Sequence, residues 1–274
     1  MSEDRFTSRA RRGLPLEGFV VDIHMHVGEH AGFPILDYRD LDLLVHEMDR
    51  HGVDVGGIAA TPACLGGSEE GGNAMVLEAL RRHPDRFFGW VGVNPHYPDS
   101  MRQELQRCYE AGCRGLKLHD GVGLPYDHRN YRLALNFAAE RGLRVLVHTW
   151  GAQLDQLETY FKDYPTLRWS LAHAGCSDPE KYVRMAKSYD SVYLDICFSK
   201  SPRGLVEYFV EQGVAGKLMF SSDCYFMGVA QQLGRVVFAK ITADEKALIL
   251  GENARRFLGE LCARGRTSLE EPAG

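Results

Sequence analysis

The chain has 274 residues, 45% hydrophobic and 25% charged, a composition ordinary for globular proteins and a length that suits one large domain or two small ones. A net charge of −5, with no basic run interleaved with aromatics, argues against a nucleic-acid partner. No apolar stretch approaches the roughly 20 residues that span a bilayer, and the opening segment MSEDRFTSRARRG has no apolar core of a secretory signal. A cytoplasmic location without a membrane partner is therefore expected. The seven cysteines, Cys64, Cys108, Cys113, Cys176, Cys197, Cys224 and Cys262, are odd in number and form no CxxC pair, as expected of free thiols in a reducing compartment.

One domain is expected over residues 14–267, with residues 1–13 and 268–274 as flexible termini. From Gly18 to Asp223 a short apolar strand, a loop and a helical stretch recur. The predicted strands are 19–26, 56–62, 87–95, 115–120, 144–150, 168–175, 191–198 and 217–223. The helices between them are read at 41–50, 73–82, 101–111, 133–141, 154–164, 179–188, 204–212 and 229–238. The Gly-rich stretch GGSEEGG (66–72) reads as a loop. Thr242 and Glu245 form a capping box, and GENARRFL (251–258) reads as an extra C-terminal helix packed on the outside. Eight strands alternating with eight helices imply an all-parallel sheet. No GxGxxG follows the first strand, and no complete P-loop is present. Count and length favour an α/β fold of the (β/α)₈ TIM-barrel type, a single domain with a closed parallel sheet, over an open doubly wound sheet.

The histidines are unevenly placed. His24 and His26 are two apart on the first strand, so they share a face. The alternation sends Asp22, His24 and His26 inward and Val21, Ile23 and Met25 outward. His119 ends the fourth strand, His148 the fifth, and His173 lies near the end of the sixth. Asp223 ends the eighth, which closes against the first. All sit at the C-terminal strand ends, where such barrels carry their chemistry. A lone strand histidine is more often a hydrogen-bonded core residue. Five inward histidines and an aspartate at one mouth need a shared purpose, because buried unpaired polar groups are costly. Imidazoles with a carboxylate suit a divalent ion such as Zn²⁺, whose open position would take a water. Asp223 can then move that water's proton.

In order, VDIHMH, GLKLHDG, VLVHTWG, SLAHAG, VYLDI, MFSSD and GENARRFL resemble the amidohydrolase superfamily. The nearer likeness is to the branch that includes aminocarboxymuconate-semialdehyde decarboxylase, resorcylate-type decarboxylases and pyrone-dicarboxylate lactonase. It runs from Val20 to about Leu258. The resemblance implies one divalent metal ion, Zn²⁺ before Mn²⁺, held by His24, His26, His148 and Asp223. It places His173 beside the metal as a ligand or as a catalytic group with Asp223. Binuclear members bridge two metals with a carboxylated lysine on the fourth strand. Lys117 offers that alternative, against a place near the substrate with His119 or a buried pairing with Asp195. Trp150 is expected to wall the pocket or to pack on its rim. Arg129 is either a bidentate clamp for a substrate carboxylate or a solvent-facing residue at a helix start.

Three functions follow. The first is hydrolysis of a small lactone, ester or amide by a metal-activated water. The second is non-oxidative decarboxylation of an aromatic or unsaturated acid by the same ligands. The third is a barrel retained as a scaffold, against which stands the complete ligand set. The expected partner is a small-molecule substrate, with a homodimer suggested by relatives.

Overall fold

Each strand of the structure is almost wholly buried, which is why the strand sequences read as apolar runs rather than as alternating patterns. The protein is represented by a computed structural model that describes residues 4–30, 32, 40–198, 200 and 202–259. Its elements run α1 (Arg5–Arg11), β1 (Val21–Val27), α2 (Leu41–His51), β2 (Val55–Ala60), α3 (Thr61–Cys64), α4 (Glu69–Arg82), β3 (Phe87–Gly92) and α5 (Pro98–Glu110). They continue β4 (Gly115–Leu118), α6 (Tyr131–Arg141), β5 (Arg144–His148), α7 (Leu154–Asp163), β6 (Arg168–Ala172) and α8 (Pro179–Ser188). The last are β7 (Val192–Asp195), α9 (Leu205–Glu211), β8 (Leu218–Met219), α10 (Val229–Val237), α11 (Ala243–Ala247) and α12 (Asn253–Leu258).

The eight strands are parallel and lie in sequence order from β1 to β8, so the expected (β/α)₈ barrel is what forms. β8 is only two residues long, and the seam with β1 is held by separate contacts. Ile23 N donates to Phe220 O at 3.1 Å and Asp223 N to His24 O at 2.9 Å. Ser222 N donates to the Asp22 carboxylate at 2.9 Å.

The inward and outward assignment on β1 needs correction. The register shifts between Asp22 and Met25, an irregularity of the β-bulge kind that breaks strict alternation. Val21 and Ile23 join the buried cluster of Phe88, Trp90, Leu146 and Met219 inside the barrel. Asp22 turns to the β8 seam, while Met25 packs in the outer core. Trp90 fills the barrel centre and donates its indole N–H to Ile23 O at 3.0 Å. It fits because Gly57 and Gly115 face it: a Cβ on Gly115 would lie 2.1 Å from Trp90 Cε3.

The C-terminal helix is also corrected. α12 does not lie on the outside. Its Ala254, Phe257 and Leu258 belong to the interior cluster. It sits at the N-terminal ends of the strands, where Arg144 Nε and Arg168 Nη1 donate to Phe257 O at 2.6 and 3.0 Å. Asn253 Nδ2 donates to Ala215 O and Leu218 O at 2.7 and 2.8 Å. The barrel is thus plugged at one end and open at the other.

Within 1–13, residues 5–11 are helical rather than frayed. Asp4 caps α1 by accepting from Phe6 N and Thr7 N, Phe6 is buried, and the nearly buried Lys246 donates to Asp4 Oδ2 at 2.7 Å. Residues 268–274 lie outside the described residues. α4 begins four residues before the expected Asn73, inside the Gly-rich stretch, because Ser68 accepts from Gly71 N and Glu69 and Glu70 favour the helix start. The Thr242–Glu245 capping box is present. Six cysteines are described, all as free thiols. Among the described residues no helix is long and apolar enough to cross a membrane.

Candidate metal and substrate site

The site is built where β1 leaves its irregularity. His24 Nδ1 lies 2.8 Å from Asp195 Oδ2. A carboxylate only accepts, so Nδ1 carries the proton and the Nε2 of neutral His24 keeps its lone pair. That nitrogen is 3.0 Å from His26 Nε2, 2.7 Å from Lys117 Nζ and 3.8 Å from Asp223 Oδ1. His26 Nε2 is 3.3 Å from the same Asp223 oxygen, while His26 Nδ1 is buried without a partner.

Three groups reach the site through unusual backbone. Ala172 belongs to the interior cluster, so strict alternation would send His173 outward. His173 instead adopts φ 58°, Asp223 φ 60° and Phe198 φ 136°. Non-glycine residues rarely hold positive φ, and such strain concentrates at functional sites. His173 Nε2 meets His148 Nδ1 at 3.1 Å, and its Nδ1 meets Cys197 Sγ at 3.2 Å. The ligand atoms of His24, His173, Cys197 and Asp223 all lie within 4.8 Å of one another.

Charge states follow from burial. Burial, with Lys117 adding to it, pushes His24 down to about 3. Burial likewise lowers His26, His148 and His173 and Lys117. For Asp223 burial works the other way, but the His26 hydrogen bond and the surrounding imidazoles outweigh it and hold the carboxyl below its ordinary range. Burial also opposes ionisation of Asp195, yet His24 and Ser221 hold it down at about 2. Neutral imidazoles beside an ionised carboxylate are the protonation states that metal ligands need. With a carboxylate fixing the tautomer of His24, the donor set fits a divalent cation.

The expected residues are not all placed alike. His24, His26 and Asp223 converge. His148 sits one ring away, hydrogen-bonded to His173 and stacked on His119 with ring centroids 3.8 Å apart. Lys117 is corrected as a substrate contact: it is buried beneath His24 and does not wall the cavity. Its supposed partner Asp195 is taken by His24, Ser221 and the Cys197 N–H. Arg129 takes the second of its two readings: it is exposed before α6 and outside the cavity wall.

Above the donors opens a cavity of about 290 Å³. His119, His148, His173, His26 and Asp223 form its polar part, while Trp150, Phe198, Phe226, Leu65 and Met227 form its apolar part. Trp150 stacks on His173 at 5.3 Å and 14°, so it is a wall as expected, and His30 also faces the cavity. Gly121 N donates to His119 Nδ1 at 2.9 Å, and burial holds this imidazole neutral. Its proton is therefore on Nε2. Tyr126, buried, ties β5 to the neighbouring loop by donating to His148 O at 2.7 Å. Sequence reasoning missed Phe198 and Leu65, which carry no local signal. Cys197 was legible as an inward residue two after Asp195, but not as a neighbour of His173.

The amidohydrolase family profile matches residues 21–259. No functionally curated protein matches the chain. Among solved structures, 2,6-dihydroxybenzoate decarboxylase from Rhizobium aligns with 18% identity and a TM-score of 0.69, over 88% of this chain and 98% of that one. A 5-carboxyvanillate decarboxylase from Novosphingobium aromaticivorans, bound to manganese and 4-hydroxy-3-methoxy-5-nitrobenzoic acid, aligns with 16% identity and a TM-score of 0.64, over 80% of each chain. A probable 2-pyrone-4,6-dicarboxylic acid hydrolase from Acinetobacter baumannii, with citric acid bound, aligns with 19% identity and a TM-score of 0.67, over 88% and 99%. At these identities the likeness establishes the barrel, and the profile, which covers most of the sequence, establishes the family. The chain belongs to the amidohydrolase family.

Proposed function

We propose that the protein hydrolyses a small, uncharged carbonyl compound (a lactone, ester or amide) with a divalent ion, Zn²⁺ before Mn²⁺, held around His24 and Asp223. His26 and His148 are the ligands that the family resemblance adds. When bound, the ion supplies Lewis acidity toward a carbonyl and acidifies water. The observation that carries the reading is the Asp223 carboxylate, with Oδ1 3.3 Å from His26 Nε2 and 3.8 Å from His24 Nε2, beneath a cavity whose described lining contains no Lys or Arg. An ionised Asp223 is a proton acceptor, as attack by water requires, and not a proton donor. A described lining without a cation favours a neutral substrate over a polyanion. Trp150, Phe198 and Phe226 hold a flat substrate and keep water from its far side. The Nε2–H of His119 is the donor available to a substrate oxygen.

A second reading, decarboxylation of an aromatic acid, is favoured by the aromatic walls. It requires a proton donor to carbon in place of an acceptor for the proton of water. Both readings are tested by incubating the zinc-loaded and manganese-loaded protein with a panel of lactones, esters, amides and aromatic acids. Acid release is followed by pH-stat and CO₂ by direct trapping, with Asp223→Asn alongside. Acid release without CO₂, lost in Asp223→Asn, is expected. CO₂ from an aromatic acid, with no turnover of neutral carbonyl compounds, would replace the first reading by the second.

A further inference from the structure

We propose that Cys197 supplies a thiolate ligand to the ion held by His24 and Asp223, so that the site selects thiophilic ions such as Zn²⁺ and Co²⁺ over Mn²⁺. This rests on the metal-dependent reading above and extends it to a residue and a selectivity. Cys197 is wholly buried. Its Sγ lies 3.2 Å from His173 Nδ1 and 3.6 Å from the Nδ1 edge of His24, and His24 Nε2 lies 3.8 Å from Asp223 Oδ1. Ligand atoms around one tetrahedral zinc, with bonds of about 2.0–2.3 Å, stand roughly 3.3–3.7 Å apart. The sulfur thus stands at coordination spacing from His173 Nδ1, and one ligand atom from each of His24, His173, Cys197 and Asp223 lies within 4.8 Å of the others before any ion is added.

The sulfur is also held in place. Cys197 N donates to Asp195 Oδ1 at 3.1 Å and to Ser221 Oγ at 3.0 Å. Asp195 is the same carboxylate that orients His24, so one acidic residue positions two ligands. Thiolate is a soft donor; it strengthens binding of Zn²⁺ and Co²⁺ and contributes little for Mn²⁺. On binding, the S–H bond breaks, its electron pair goes to the ion, and the proton leaves to solvent.

The test loads the full chain, freed of metal, with Co²⁺, and records metal content and the electronic spectrum together. One Co²⁺ per chain with a near-ultraviolet sulfur-to-cobalt charge-transfer band is expected. In Cys197→Ser the ion should still bind but the band should vanish, and the Zn²⁺ preference over Mn²⁺ should fall by about 10-fold or more. X-ray absorption of the zinc-loaded wild type gives a second readout that needs no variant: one sulfur at about 2.3 Å. One bound metal with neither band nor sulfur shell overturns the thiolate assignment and leaves the metal reading standing. A band that persists in Cys197→Ser assigns the sulfur to another cysteine and also overturns it. No bound metal at all removes the metal reading and this proposal with it.

Discussion

Replacing Asp195 by Asn changes one atom in a wholly buried side chain, and the structure lets the consequence be followed bond by bond. The two carboxylate oxygens accept only from donors: His24 Nδ1–H at 2.8 Å on one side, the Cys197 N–H at 3.1 Å and the Ser221 hydroxyl on the other. Asn has one acceptor and one NH₂. If its carbonyl keeps the two partners on the Cys197 side, its NH₂ faces His24 Nδ1. That nitrogen must then become an acceptor, and the ring proton moves to Nε2, the atom aimed at His26 and Asp223. Loss of such an orienting partner costs about 10–100-fold in metal affinity, or ~1.4–2.7 kcal/mol. Exchanging a charged for a neutral acceptor in a buried network should lower global stability by a further ~1–3 kcal/mol. Zinc affinity by chelator competition, beside a urea unfolding curve, measures both. An Asp195→Asn protein that is folded and binds zinc as tightly as wild type would refute the tautomer argument, and with it the claim that His24 Nε2 is the ligating atom.

Other expectations concern the fold and the cavity. Gly115→Ala drives a Cβ to 2.1 Å from Trp90 Cε3 and 2.7 Å from Phe88 Cε1; overpacking at this site should cost ~3 kcal/mol, visible as a clear drop in Tm by calorimetry. Burial opposes the charge on Asp4, but hydrogen bonds from Lys246 and Thr7 hold its pKa at about 2. This contribution is full above the ordinary carboxyl pKa and is lost as pH falls through 4 toward 2. In Asp4→Asn, urea midpoints at pH 6 and pH 3 should differ less than in wild type. Trp150 is 38% exposed at the cavity while Trp90 and Trp169 are buried, so a ligand entering the cavity should change the red side of the fluorescence spectrum. That change should be missing in Trp150→Phe, and its persistence would place the ligand elsewhere.

The barrel was readable because eight short apolar runs alternate with helical periods, and that pattern survives without knowledge of tertiary contacts. The convergence of His24, His26 and Asp223 was readable because strand ends share one rim. What escaped depends on backbone that no local pattern encodes. The shift in β1 turned Ile23 inward beside Trp90, and only the neighbouring strands reveal it. His173 reaches the site through a left-handed φ, not through strand parity. The periodicity of GENARRFL shows a helix with one apolar face, but not that the face plugs the bottom of the barrel. Lys117 lies on the inner face as alternation requires. Depth along the barrel separates it from the cavity, and depth depends on register between strands.

The short β8 leaves the barrel seam to be fastened by the segment that carries the candidate site. The Asp223 amide holds the His24 carbonyl, and the Asp22 carboxylate holds the Ser222 and His24 amides. The clasp and the candidate chemistry are thus one piece of chain. A substitution that loosens the ligands also loosens the ring, and an ion binding His24 and Asp223 would bolt the first strand to the last. An ion at this candidate site would add a cross-link to a seam that backbone hydrogen bonds already close.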